Sequence, residues 1–137
     1  MSSATVRVHD RTQARVALDW AGAQGLTIRL ASAQAAACYT GPLYWRSLEL
    51  ELKELVTVDC GELPGIVMGG LRVGLKSLLF GGNPAIARKL GRLAQQHGAE
   101  LLTRLPPPLV ELAPAWDAHT IRRHLSLASP GPDTRLG

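Results

Sequence analysis

Three short groups of residues could carry chemistry, and each stands just after an apolar run. Asp59, Cys60 and Gly61 follow Leu55-Val56-Thr57-Val58. A carboxylate that ends a buried strand sits where parallel sheets bind ligands, so Asp59 could serve as a base or a ligand anchor. Cys60 stands close to the start of the next helix, where the dipole can lower a thiol pKa and favour a thiolate. Asp59 and Cys60 are therefore the two catalytic candidates. Each also has a structural reading: Asp59 as a cap satisfied by the N–H groups of its own turn, and Cys60 as a buried, inert thiol.

The second group is Gly81-Gly82-Asn83, after Lys76-Ser-Leu-Leu-Phe80 and before Pro84. Two glycines can present backbone N–H groups, and a helix N-terminus favours an anion. With Gly61 and with Ser32, which follows a further strand, they form a candidate set for a phosphate-bearing or other anionic metabolite: Ser32, Gly61, Gly81, Gly82 and Asn83. Neither the G-x-x-x-x-G-K-[ST] nor the G-x-G-x-x-G pattern is present, and a turn followed by an Asn cap accounts for the same residues.

Metals and cofactors are not implied. His119 and His124 are five positions apart, which separates them around a helix, while His9 and His97 stand alone. No G-x-S-x-G elbow supports a serine hydrolase. No complete catalytic constellation can be assembled, which leans against an enzyme.

Positioning these residues requires a sheet. Val6 and Val8 suggest a strand, Asp10-Arg-Thr-Gln13 a capping box, and Ala14, Ala17, Leu18 and Ala21 the apolar side of a helix closed by Gly22 and Gly25. Leu26–Leu30 alternates as a strand that would lie near a sheet edge. Ser32 opens an Ala-rich turn, and Pro42 starts a helix with Leu43, Trp45, Leu48 and Leu52 inward. A strand at Leu55–Asp59 leads to a helix between Glu62 and Gly74, with Gly69 and Gly70 packed close to the sheet. A strand at Lys76–Phe80 precedes the most amphipathic helix, begun by Asn83-Pro84, with Ile86, Leu90, Leu93, Ala94 and His97 on one face. Ala99–Thr103 is a further strand, Leu109–Leu112 a short extended segment, and Asp117–Leu127 a last helix.

Strands and helices thus alternate at about 20 to 25 residues, the mark of βα crossover units and parallel strands. The fold class is α/β: residues 1–128 form a single domain of repeated βα units with a mainly parallel, four- to five-stranded sheet, either an open three-layer sandwich or half-barrel-like. Residues 129–137 form a disordered tail. The repeats, with Val58–Gly61 and Leu71–Lys76, resemble segments of βα barrels and other α/β enzymes. The resemblance is one of architecture and implies no catalytic residue.

With 137 residues, 46% hydrophobic and 4% aromatic, the core must be built from aliphatic side chains. The net charge of +4 is spread over helix faces, at Arg88-Lys89 with Arg92 and at Arg122-Arg123, without aromatic platforms; this argues against nucleic acid. No apolar run reaches a membrane-spanning length of about 18 residues. The first residues do not resemble a signal peptide, and a cytoplasmic protein with Cys38 and Cys60 reduced is expected. Trp20, Trp45 and Trp116 mark core or partner surfaces, and a sheet edge needing cover points to a homodimer. Two functional readings result: a domain binding an anionic small molecule at the carboxyl ends of the strands, and a non-catalytic interaction module that self-associates or binds a protein.

Overall fold

The computed structural model describes residues 4–128; residues 1–3 and the expected C-terminal tail, 129–137, lie outside the described residues. Among the described residues six strands and six helices are interleaved, and the fold is α/β with parallel strand pairing. The count exceeds the expected four or five strands because the Leu109 segment is a true strand. The chain divides into two compact units, Met1–Leu30 with Pro106–Gly137, and Ala31–Leu105. The division falls inside β2 (Ile28–Ser32).

In the first unit, β1 (Ala4–Val8) pairs in parallel with β6 (Leu109–Glu111), Val6 opposite Val110. Thr5 secures the junction, its N–H reaching the Pro108 carbonyl at 2.8 Å and its hydroxyl the Pro106 carbonyl at 2.8 Å. Helix α1 (Arg11–Gln24) begins where Asp10 accepts the Gln13 N–H at 2.9 Å. The reciprocal bond of a capping box slips by one residue, for Gln13 Oε1 accepts from the His9 N–H. Helix α6 (Ala118–Ala128) is opened by Asp117, which accepts the Thr120 N–H at 2.8 Å. Its buried Ile121 and Leu125 pack toward α1, and the buried Trp20 indole donates to Ser126 Oγ. Trp116 lies against His124 with ring centroids 4.7 Å apart.

In the second unit, β3 (Val56–Asp59), β4 (Ser77–Leu79) and β5 (Glu100–Leu102) run parallel in that order, with Val58 opposite Leu78 and Leu78 opposite Leu101. The connections are α2 (Ala36–Thr40), α3 (Pro42–Leu52), α4 (Pro64–Arg72) and α5 (Pro84–Gln96). Proline opens three of these helices, where its missing N–H has no partner to lose. Trp45, Phe80, Leu75, Leu78, Val56 and Val58 fill the interior. Gly70 lets α4 close on the sheet: a Cβ there would lie 2.7 Å from Leu78 Cδ2, whereas at Gly69 the nearest neighbour is 3.5 Å away.

Several expectations shift in detail. Strand β2 begins two residues later than the Leu26 run, and its Leu30, Ala31 and Ser32 are buried; in the second unit the edge strand is β5. Leu43 is 63% exposed, and the inward side of α3 is Trp45, Leu48 and Glu49. In α5 the buried stripe is Ala87, Leu90 and Ala94, one residue round from the expected face, which leaves His97 exposed as the C-cap.

Candidate functional site

The carboxyl ends of β3 and β4 bring most of the expected residues together. Burial of Val56 to Val58 ends β3 with Asp59 only 5% exposed, and the turn that follows needs the left-handed conformation of Gly61, φ 59°. Asp59 Oδ1 accepts the Gly61 N–H at 2.8 Å, while the Asp59 N–H donates to Ser32 Oγ at 2.8 Å. Ser32 donates in turn to the Ala33 carbonyl. The Gly61 carbonyl accepts from the Gly81 N–H at 2.8 Å, which ties the β3 turn to the β4 turn. Ser32, Asp59, Gly61 and Gly81 therefore form one hydrogen-bonded cluster, with Cys60 between Asp59 and Gly61 in the chain and Gly82 and Asn83 following Gly81.

Of the N–H groups expected to receive an anion, those of Gly61 and Gly81 are engaged within the protein. Asn83 Oδ1 accepts from Ala85 at 2.7 Å and from Ile86 at 3.3 Å, so it occupies the α5 N-terminus itself. Gly82 is dictated by packing: a Cβ would stand 2.5 Å from the ring of the buried Phe80. Helices α3 and α4 start without a side-chain cap, at Gly41 and Leu63.

Cys60 departs from its expected activation. Its thiol is fully buried, and its pKa is pushed up to about 12, first by desolvation and then by the negative charge of Asp59 and by Cys38. Loss of hydration outweighs the helix dipole. Cys38, which sequence reading did not place here, donates its Sγ–H to the Cys60 carbonyl at 3.3 Å; its thiol is also raised, by burial first and then by Asp59. Neither is a ready nucleophile at neutral pH. A weak signal for Cys38 existed, since it follows β2 at the same end of the sheet as Asp59.

A second buried carboxylate lies at the opposite end of β3. Glu49 of α3, 3% exposed, accepts the Val56 N–H at 2.8 Å and meets Arg46 at 3.4 Å. Burial raises its pKa despite the Val56 bond and Arg46, which act to lower it. Between the two ends, the Thr57 hydroxyl contacts Ser77 Oγ at 2.8 Å, and Ser77 donates to Glu100 Oε1 at 3.0 Å. Among the described residues no cluster of three or more His, Cys, Asp or Glu could hold a metal ion.

A groove of about 450 Å³ lies elsewhere, along the edge of β5, lined by Arg88, Gly91, Arg92 and Gln95 of α5 together with the strand. Sequence reading treated these arginines only as a solvated helix face. No helix among the described residues is long and apolar enough to cross a membrane. The site and fold together define a parallel α/β protein with an internally hydrogen-bonded carboxyl rim. No protein-family model matches the chain, and no curated protein matches it.

Proposed function

We propose that this chain is a non-catalytic interaction module that self-associates through the carboxyl rim of its second unit. The observation that carries this reading is the combination of spent polar groups and exposed apolar ones at that end. The donors of Gly61 and Gly81 and the first free N–H groups of α5 already have partners in the chain. The residues at the starts of α3, α4 and α5 include Leu43 at 63% exposure, Leu63 at 51% and the partly open Ile86, and Tyr39 in the short α2 is 86% exposed. Exposed apolar side chains grouped at one end of a domain gain most when covered by another surface. A second copy of the chain presents the same apolar residues, as a two-fold interface requires.

Sedimentation of the purified protein over a range of concentrations tests this. A monomer–dimer equilibrium that Leu43→Asp and Leu63→Asp abolish, with the circular dichroism unchanged, is the expected result. A wild type that stays monomeric throughout the range overturns it.

The second reading is an anion-binding domain, supported by the uncapped starts of α3 and α4 near Asp59 and Gly61. Amide NMR during a phosphate titration at constant ionic strength separates the two. Saturable shifts confined to Gly61, Gly65, Gly81, Gly82 and Asn83 favour the anion; flat shifts leave the apolar rim as the functional surface.

A further inference from the structure

We propose that the groove between α5 and the edge of β5 binds an acidic, extended peptide segment of a partner protein, which adds to the sheet as a strand beyond β5. This surface is separate from the apolar rim, and the inference does not rest on self-association.

Four observations converge on it. First, β5 ends the strand order and among the described residues pairs only with β4. The Glu100 N–H donates to the Lys76 carbonyl and the Leu102 carbonyl accepts from Phe80, so Glu100 and Leu102 face β4. Ladder geometry then turns the N–H and C=O groups of Leu101, the middle residue of the strand, to the open side, where they can accept another strand.

Second, the groove beside that edge carries two guanidinium groups, Arg88 and Arg92. Among the described residues neither makes a hydrogen bond or an ion pair, whereas Arg46 has Glu49. The one carboxylate in the groove, Glu100, accepts the Ser77 hydroxyl. The surface is therefore cationic on balance, and its complement is acidic.

Third, the spacings agree. Arg88 and Arg92 are one helical turn apart, about 6 Å along the axis. In an extended strand the side chains that share a face recur every second residue, about 6.7 Å. A helix that follows a parallel strand lies roughly along the strand direction, so acidic residues at alternate positions of the added strand come beneath successive arginines. Guanidinium forks suit carboxylates in this geometry.

Fourth, Gly91 lies between the arginines, and a Cβ there would meet nothing within 4 Å. Its backbone is ordinary helix, and glycine costs about 1 kcal/mol against alanine in a helix interior. Packing gives no reason for it, whereas an open groove does.

The test uses the full-length protein and a synthetic peptide alternating Glu with Val, beside the same peptide with Gln for Glu. NMR should show a saturable amide shift at Leu101 with the acidic peptide. Arg88→Gln with Arg92→Gln should weaken binding at least about tenfold, and the Gln peptide should be weaker by a similar factor. Gly91→Leu fills the groove and should abolish binding while the melting temperature holds or rises, which separates blockage from misfolding. Equal affinity for the two peptides, binding indifferent to the arginine substitutions, or saturation by free glutarate at the arginines without shifts at Leu101 overturns the proposal. So does the absence of any binding.

Discussion

Strands β3 and β4 hold their polar groups inside the protein, and β5 holds fewer of its own. Glu49 closes the amino end of β3 on the Val56 N–H, Ser32 takes the N–H of Asp59 at the other end, and Thr57 and Ser77 meet between the strands. At β5 the outward backbone groups and the two arginines of α5 have no such partners among the described residues. The difference teaches where to look for function in this fold. Buried carboxylates at strand ends, the usual sign of a site, are here hydrogen-bonded within the chain, whereas the edge of β5 keeps backbone groups open.

The largest effect that would sharpen this contrast is expected at the rim. Gly82→Val forces a branched side chain into the Phe80 ring and should destabilise the protein by about 3 kcal/mol by overpacking, read as a lowered denaturation midpoint. A neutral result would mean that the rim is looser than its contacts imply.

Glu49 comes next. Glu49→Ala strips the acceptor from the buried Val56 N–H and should cost about 2 kcal/mol. Glu49→Gln keeps an acceptor and isolates the charge. Because folding raises the Glu49 pKa above its usual 4.5, the folded state holds this proton more tightly. Its contribution is therefore most favourable below that value and is lost as pH rises towards the raised one. Wild-type stability measured against the Gln variant should fall across that window; parallel pH profiles would remove Glu49 from the account.

The smallest effect lies at the edge. Gly91→Ala places a methyl group in open space and should stabilise by up to about 1 kcal/mol through helix propensity. A loss of stability would show that the groove already has an occupant within the chain.

Features set by neighbouring residues were legible in the sequence. Asn83-Pro84 starts α5, Asp117 starts α6 and Gly25 ends α1, because caps act within one turn. The α/β class followed from the alternation of strand and helix patterns. Long-range competition was harder to read. The Leu26–Leu30 alternation suggested a strand two residues too early, since burial of Leu30 to Ser32 decides the register. Its own charge hid Glu49, although its spacing from Trp45 and Leu48 put it on the buried stripe of α3. At the candidate site most of the expected residues stand together, but their hydrogen bonds to one another depend on contacts across separate strands. The groove escaped notice because two arginines four apart read equally as solvated surface until the strand beside them is known to be an edge.

The buried Cys60 thiol has a use of its own, as a native clock for breathing of the sheet. With its sulfur shielded and its proton held to a pKa of about 12, an alkylating reagent must wait until β3 parts from its surroundings. Cys38 lies nearer the surface, in α2 against the Cys60 carbonyl, and sets the pace of superficial motion. The ratio of the two labelling rates then measures how often the centre of the second unit opens, without any probe having to be introduced.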